Sequence, residues 1–372
     1  MVGGLIGSVC VMICSLSQTN VFLAVFLFIS GMGYAMTVLP SEALVICVFG
    51  DNYLLPFCVN AMGGGVGMMI LPFCVQKLLP IYGWRGALLI LGGFNLHTVV
   101  SGALFQAQVP KESVTDGPTE KDQLISTVAN DPLDDLNECS HGESKLGRVS
   151  LPNRCCSNVR EYLLSNFRVV REFPLLIYMM IAAFLHGITH AGWTIFVIAN
   201  AEFKGIQEET AVFLSIAGGV GNTIGRLFPS ALNICNKDLF TSRISFLAFG
   251  GVGAVPLCLN SVTTSFPVLI VFAGFSGLAL GAKAVCKSAA TVDIVSESSS
   301  STALAFALVC SGMGELAGGW LTGKIWDVTG SLEIAFLFLG LIDILGVVTL
   351  LLSLIHQKLM KMKSKSNKIQ AM

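Results

Sequence analysis

Residues 209–235 read ETAVFLSIAGGVGNTIGRLFPSALNIC, an apolar run with a single charge in its body, Arg226. A helix of that length covers the ~30 Å hydrocarbon core of a bilayer, which needs about 20 apolar residues. Comparable runs occupy 2–17, 20–47, 54–78, 84–107, 174–201, 243–262, 265–290, 300–324 and 331–356. The pattern predicts an all-α membrane protein with about ten transmembrane helices. The first run has no basic n-region and no small-residue cleavage site, so it is read as a membrane helix and not as a signal peptide.

Composition agrees. The 372 residues are 53% hydrophobic and 12% charged, with a mean hydropathy of +0.75. A soluble domain carries about 25% charge, so too few polar groups remain here to coat a water-facing surface. A net charge of −1 provides no basic field for nucleic acid. Cys10, Cys14, Cys47, Cys58, Cys74, Cys286 and Cys310 sit inside apolar runs and read as small hydrophobes, with no disulfide or metal framework among them. Cys155 and Cys156 lie together near basic residues and read as free thiols, with acylation as the alternative. The chain has no Ser/His pair, no motif-bound aspartate pair and no nucleotide-binding loop. It is not expected to be an enzyme or to hold a cofactor.

Charge placement orients the helices. Residues 108–173 hold eight Lys/Arg, and the end of the chain holds Lys358, Lys361, Lys363, Lys365 and Lys368. The opposite loops offer little beyond Lys77, Arg85, Lys204 and Lys324. By the bias of Lys and Arg toward the cytoplasm, both termini are expected to be cytoplasmic. The expected organisation is a four-helix bundle over 1–107, a largely disordered cytoplasmic loop over 108–173, a six-helix bundle over 174–356 and a basic tail over 357–372. The loop is rich in acids such as Asp131, Asp134, Asp135 and Glu138, a composition that cannot build a core. Its end, with Arg160, Arg168 and Arg171, is expected to approach the membrane as an amphipathic segment.

A weak internal repeat links the bundles. Tyr82-Gly83-Trp84-Arg85-Gly86 leads into an apolar run, and so does Trp326-Asp327-Val328-Thr329-Gly330-Ser331. Parallel repeats of the major facilitator fold would place such turns before the last helix of each half. Gly83-Trp84-Arg85-Gly86, followed by Leu89-Ile90-Leu91-Gly92-Gly93, resembles the link between helices 5 and 6 of the monocarboxylate transporters. Asp327-Val328-Thr329-Gly330-Ser331 resembles their link between helices 11 and 12, and the central loop falls where theirs does. The resemblance covers essentially the whole chain.

It implies a multi-pass carrier in the plasma membrane that moves monocarboxylates or related small organic anions or zwitterions by alternating access. Protons are a candidate co-substrate and a single-span glycoprotein a candidate ancillary partner. The family also moves aromatic amino acids, thyroid hormones and creatine, so no cargo is fixed. Two departures stand out. The family's opening motif and first-helix lysine have no counterpart, as though the first two helices were missing. The basic part of its helix 4–5 motif is replaced by Asp51-Asn52-Tyr53, while the glycine-rich end persists from Gly63 to Gly67. A truncated, non-transporting form that acts through partners is therefore the alternative expectation.

Charges at membrane depth are costly and tend to line a polar path. Arg226 is the leading substrate ligand, because a guanidinium holds a carboxylate through two parallel hydrogen bonds. The resemblance implies an aspartate one turn earlier; here that position is Asn222, which bonds but takes up no proton. Lys283 and Lys287 share a helix face. Lys283 is expected at the substrate, while Lys287 and Glu42, near helix ends, are expected to snorkel or pair. Glu315 and Asp343, with His186 and His190, are expected to form charge pairs or a proton path. No third ligand accompanies the histidines, so no metal is expected, and His97 reads as structural. Gly63, Gly64, Gly65 and Gly67, with Gly218, Gly219, Gly221 and Gly225, are expected to bring helices close together.

Overall fold

With water excluded, long apolar segments satisfy their backbone groups only within themselves, so helix is the structure open to them. The computed structural model describes residues 1–108, 168–236, 240–296 and 299–370, and no strand occurs among the described residues. Before the central segment come α1 (Val2–Cys14), α2 (Asn20–Phe49), α3 (Leu54–Asn95) and α4 (His97–Gln108). After it come α5 (Leu175–Phe203), α6 (Glu208–Cys235), α7 (Ser242–Leu259), α8 (Phe266–Val292), α9 (Ser300–Thr329) and α10 (Leu332–Gln370). The expected loop, with Cys155, Cys156, Arg160 and the acidic cluster, lies outside the described residues except for a helical stretch at 168–172.

Eight described stretches are long and apolar enough to cross a membrane. The count differs from the ten runs for two reasons. α1 has 13 residues, about 20 Å of helix, which is shorter than the hydrocarbon core. The runs 54–78 and 84–107 join into one apolar stretch from Leu54 to Leu104. That stretch bends at Gly83, whose φ of 63° and ψ of 177° suit a residue without a Cβ. At the corresponding turn of the other half, Gly330 ends α9 with φ 66° and its N–H on the Trp326 carbonyl. The basic end of the chain continues α10 as helix to Gln370, with Lys358, Lys361 and Lys363 exposed.

Met1–Ala103 and Val169–Met372 form one compact unit. Its most extensive helix pairs are α6/α8, α5/α9 and α3/α6. Glycines make the first two pairs close. On α6, Gly221 and Gly225 lie against the Gly274 and Leu278 carbonyls of α8, while Gly277 and Gly281 of α8 lie against the Gly218 and Asn222 carbonyls. Gly187 of α5 meets the Ser311 carbonyl of α9 in the same way, and Gly314 and Gly318 of α9 meet the Phe184 and Ile188 carbonyls. Backbones in such contact leave no room for even a methyl group, the packing expected of membrane helices without a hydrophobic driving force. Trp193, Leu214, Leu257, Leu269, Leu280, Phe336 and Leu339 fill the core of the second half.

Where the first half meets α6, the glycine stripe differs from expectation. A methyl group added at Gly63 would meet nothing within 4 Å, and one added at Gly67 would meet only Leu71, at 3.8 Å. Gly64 and Gly65 make the close approach instead, to the Arg226 guanidinium and to Thr223, and Gly219 receives the Met69 backbone. Arg85 has a local structural role. Its Nη2 donates to the Ser17 carbonyl at 2.9 Å, and its guanidinium stacks 4.8 Å from the Trp84 ring centre, fastening the turn after α1 to the bend in α3. Arg85→Ala is expected to cost about 1.5–3 kcal/mol, the range for a hydrogen bond to a charged group. A drop in the thermal unfolding midpoint of the purified protein would record it, and an unchanged midpoint would reject the role.

Candidate functional site

Arg226 sits on α6 where that helix faces α3. Its Nε donates to Asn222 Oδ1 at 2.8 Å, one turn back on the same helix, and its Nη1 donates to the Ala61 carbonyl of α3 at 2.9 Å. Gly64 provides the space: a Cβ there would lie 2.9 Å from Nη2. No carboxylate lies within 4.0 Å of this guanidinium among the described residues. Asn222 is fully buried, and its Nδ2 has no hydrogen-bond partner. The site thus bridges the two halves of the chain and keeps donors in reserve.

The two lysines of α8 meet different partners. Lys283 is fully buried and forms an ion pair with Asp343 of α10, which is itself 5% exposed. Gly253 of α7 makes room for that carboxylate. The expectation that Lys283 is at the substrate is not what its geometry favours, because its charge is already neutralised inside the second half. Lys287, expected to snorkel, is buried instead, 7% exposed, and donates to Ser311 Oγ of α9 at 2.8 Å. The reason is packing: α9 lies against α8 here and presents the Ser311 hydroxyl to the ammonium.

Glu42 also points inward. Its Oε2 is buried without a hydrogen-bond partner. Glu315 and His190 are brought together, Oε1 to Nδ1 at 3.5 Å, with side chains 49% and 25% exposed. His186 is buried, its ring centre 5.9 Å from that of His190 and 6.2 Å from that of Phe246. His97 is apart from all of these, its Nδ1 2.7 Å from the Phe94 carbonyl one turn back.

A second polar contact joins the halves where α3 begins and α8 ends. The Tyr53 hydroxyl shares its one proton between the Ala289 carbonyl at 3.3 Å and Asp293 Oδ1 at 3.1 Å, and Ser242 Oγ donates to Asp293 Oδ2 at 2.7 Å. Burial, reinforced by the Asp293 charge, pushes the Tyr53 phenol well above its usual range, so it is present as the donor. Tyr53 stands in the replaced basic segment, and no local pattern around it points to a partner 240 residues away.

Comparison with known proteins adds the family. The model of the Major Facilitator Superfamily matches residues 1–233. Monocarboxylate transporter 12 of Homo sapiens is 28% identical over 91% of this chain, which spans 64% of that protein's length. Monocarboxylate transporter 2 of Mus musculus is 26% identical over 99% of this chain and 72% of its own length. Among solved structures, the fucose:proton symporter of E. coli superposes with a TM-score of 0.62 at 11% identity, covering 94% of this chain and 81% of the symporter. A family match over well more than half of the residues, on helices packed for a membrane, makes this chain a multi-pass member of the Major Facilitator Superfamily of transporters.

Proposed function

We propose that the chain carries small organic anions, monocarboxylates or related solutes, across the plasma membrane by alternating access, with both termini cytoplasmic. The observation that supports this reading is the Arg226 guanidinium, held at membrane depth by Asn222 and the Ala61 carbonyl without a carboxylate partner among the described residues. A fixed planar cation of this kind recognises a carboxylate through paired hydrogen bonds. It also touches both halves, so an anion bound there would report its presence to each of them. The names of the relatives point the same way. If a proton accompanies the anion, the His190–Glu315 pair is the group placed to carry it.

Uptake of radiolabelled pyruvate, lactate and creatine into vesicles containing the purified protein tests the reading. Accumulation above protein-free vesicles is expected for at least one of them, and background for all three would reject the assignment. The helix α6 pair adds a pH test. In an Asn222→Asp variant the new carboxylate, when ionised, competes with the substrate for Arg226. A charge-assisted bond exceeds a neutral one by ~1 kcal/mol, which raises KM about fivefold at neutral pH. Acid then protonates the carboxylate and frees the guanidinium, so uptake by the variant recovers as pH falls. A variant whose KM follows the wild type at every pH would place the substrate elsewhere.

A further inference from the structure

Helix α10 has 39 residues, from Leu332 to Gln370. That is about 58 Å of helix, almost twice the thickness of a hydrocarbon core. Its apolar body ends at Ile355, and the surplus lies toward the end of the chain. From Ile355 to Lys363 the helix rises about 12 Å, enough to cross the headgroup layer of one leaflet, which is about 5–8 Å deep. Lys358, Lys361 and Lys363 are exposed along this stretch, and so are Leu359, Met360 and Met362 between them. Lys365 and Lys368 follow in the sequence, and no acid occurs after Asp343.

Contacts on two sides fix the place where α10 leaves the bundle. Arg243 Nη2, at the start of α7, donates to Gln357 Oε1 at 3.1 Å. The His356 ring lies edge-on to the Tyr178 ring of α5, with centres 5.8 Å apart. The first lysine comes one residue later. Among the described residues no carboxylate lies within 4.0 Å of Lys358, Lys361 or Lys363. Positions 358, 361, 365 and 368 repeat at intervals of three, four and three, which gathers like charges on one side of a helix and weakens it in water. Leu359, Met360 and Met362 add apolar surface that water also disfavours. An anionic membrane interface answers both demands, because ammoniums meet phosphates there while apolar side chains insert below them.

We propose that residues 358–368 form a binding site for anionic phospholipid headgroups of the leaflet where α10 emerges. The inference goes beyond carriage of a solute. It takes from the reading above only the cytoplasmic side, where anionic lipid resides. Interleaved lysines and apolar side chains suit a lipid better than a soluble phosphate, which offers Leu359 and Met362 nothing to enter. A phosphatidylcholine headgroup carries its own ammonium, so it presents the lysines with no net charge.

The test uses the full-length purified protein in neutral detergent. Phosphatidylserine or phosphatidylcholine is added, and bound lipids are counted by mass spectrometry of the intact protein. The wild type is expected to retain phosphatidylserine at a lipid concentration about tenfold lower than phosphatidylcholine. A lysine near an anionic surface contributes about fivefold in affinity. Lys358→Gln, Lys361→Gln and Lys363→Gln together should therefore weaken phosphatidylserine binding by about tenfold or more, whereas Lys358→Arg, Lys361→Arg and Lys363→Arg together should preserve it. All three positions are exposed, so equal unfolding midpoints are expected without lipid. Inorganic phosphate at the concentration of the lipid should leave bound phosphatidylserine in place. Equal retention of the two lipids, a glutamine variant that binds phosphatidylserine as the wild type does, or displacement by inorganic phosphate would each overturn the inference. None of these outcomes involves Arg226 or uptake, so the carrier reading stands or falls separately.

Discussion

Replacing Arg226 by Gln is expected to lower kcat/KM for a monocarboxylate by about 30-fold or more, with the protein still folded. The magnitude follows from the loss of a desolvated charge pair. Truncating one member of such a pair costs about 2–5 kcal/mol, and each 1.4 kcal/mol is a factor of ten. Gln can still bond to Asn222 or to the Ala61 carbonyl, the two partners of the guanidinium, so local packing survives. Arg226→Lys keeps the charge and loses the planar fork, and an intermediate loss of about tenfold is expected. Initial uptake rates over a range of substrate concentrations separate the three proteins. A Gln variant within about twofold of wild type, a difference under 0.5 kcal/mol, would remove Arg226 from the site. So would a loss shared equally with Arg226→Lys, since the fork would then contribute nothing.

Much of the fold is legible in the sequence. Apolar length locates the helices, because a membrane helix announces itself by composition alone. The bend at Gly83 falls between two expected runs, and Gly330 closes the matching turn of the second half. The first apolar run overstates α1, since the residues after Cys14 extend the run without continuing the helix. The site is legible only in part. Arg226 stands out as the one charge in the body of an apolar run, and Asn222 follows from helical spacing. Depth along a helix, however, does not reveal what the neighbouring helix brings.

That limit accounts for the lysines. Lys283 and Lys287 share a face of α8, and sequence ranks them by distance from the helix end. In the fold, Lys283 meets Asp343 on α10, while Lys287 meets a serine on α9. The partners lie 60 residues away for Lys283 and 24 for Lys287, separations that no local pattern encodes. The glycines show the same limit. Gly63 and Gly67 carry the recognisable spacing, yet Gly64 and Gly65 face α6, because the rotation of α3 about its axis is fixed by the helix it packs against.

The rotation of α8 likewise decides what Lys283 does, and the consequence is large. Lys283→Ala leaves the Asp343 carboxylate buried beside Gly253 without its cation. Breaking a buried pair by removing one member costs about 3–5 kcal/mol, so the unfolding midpoint of the variant is expected to fall sharply. Lys283→Met combined with Asp343→Leu removes both charges at similar volume and should recover most of that loss, because two apolar groups need no compensation. The double variant also separates a structural role from a substrate role. If Lys283 serves packing alone, the folded double variant transports with the wild-type KM. Recovery of stability together with a KM raised about tenfold, some 1.4 kcal/mol of lost binding, would return Lys283 to the substrate and make Asp343 its partner there.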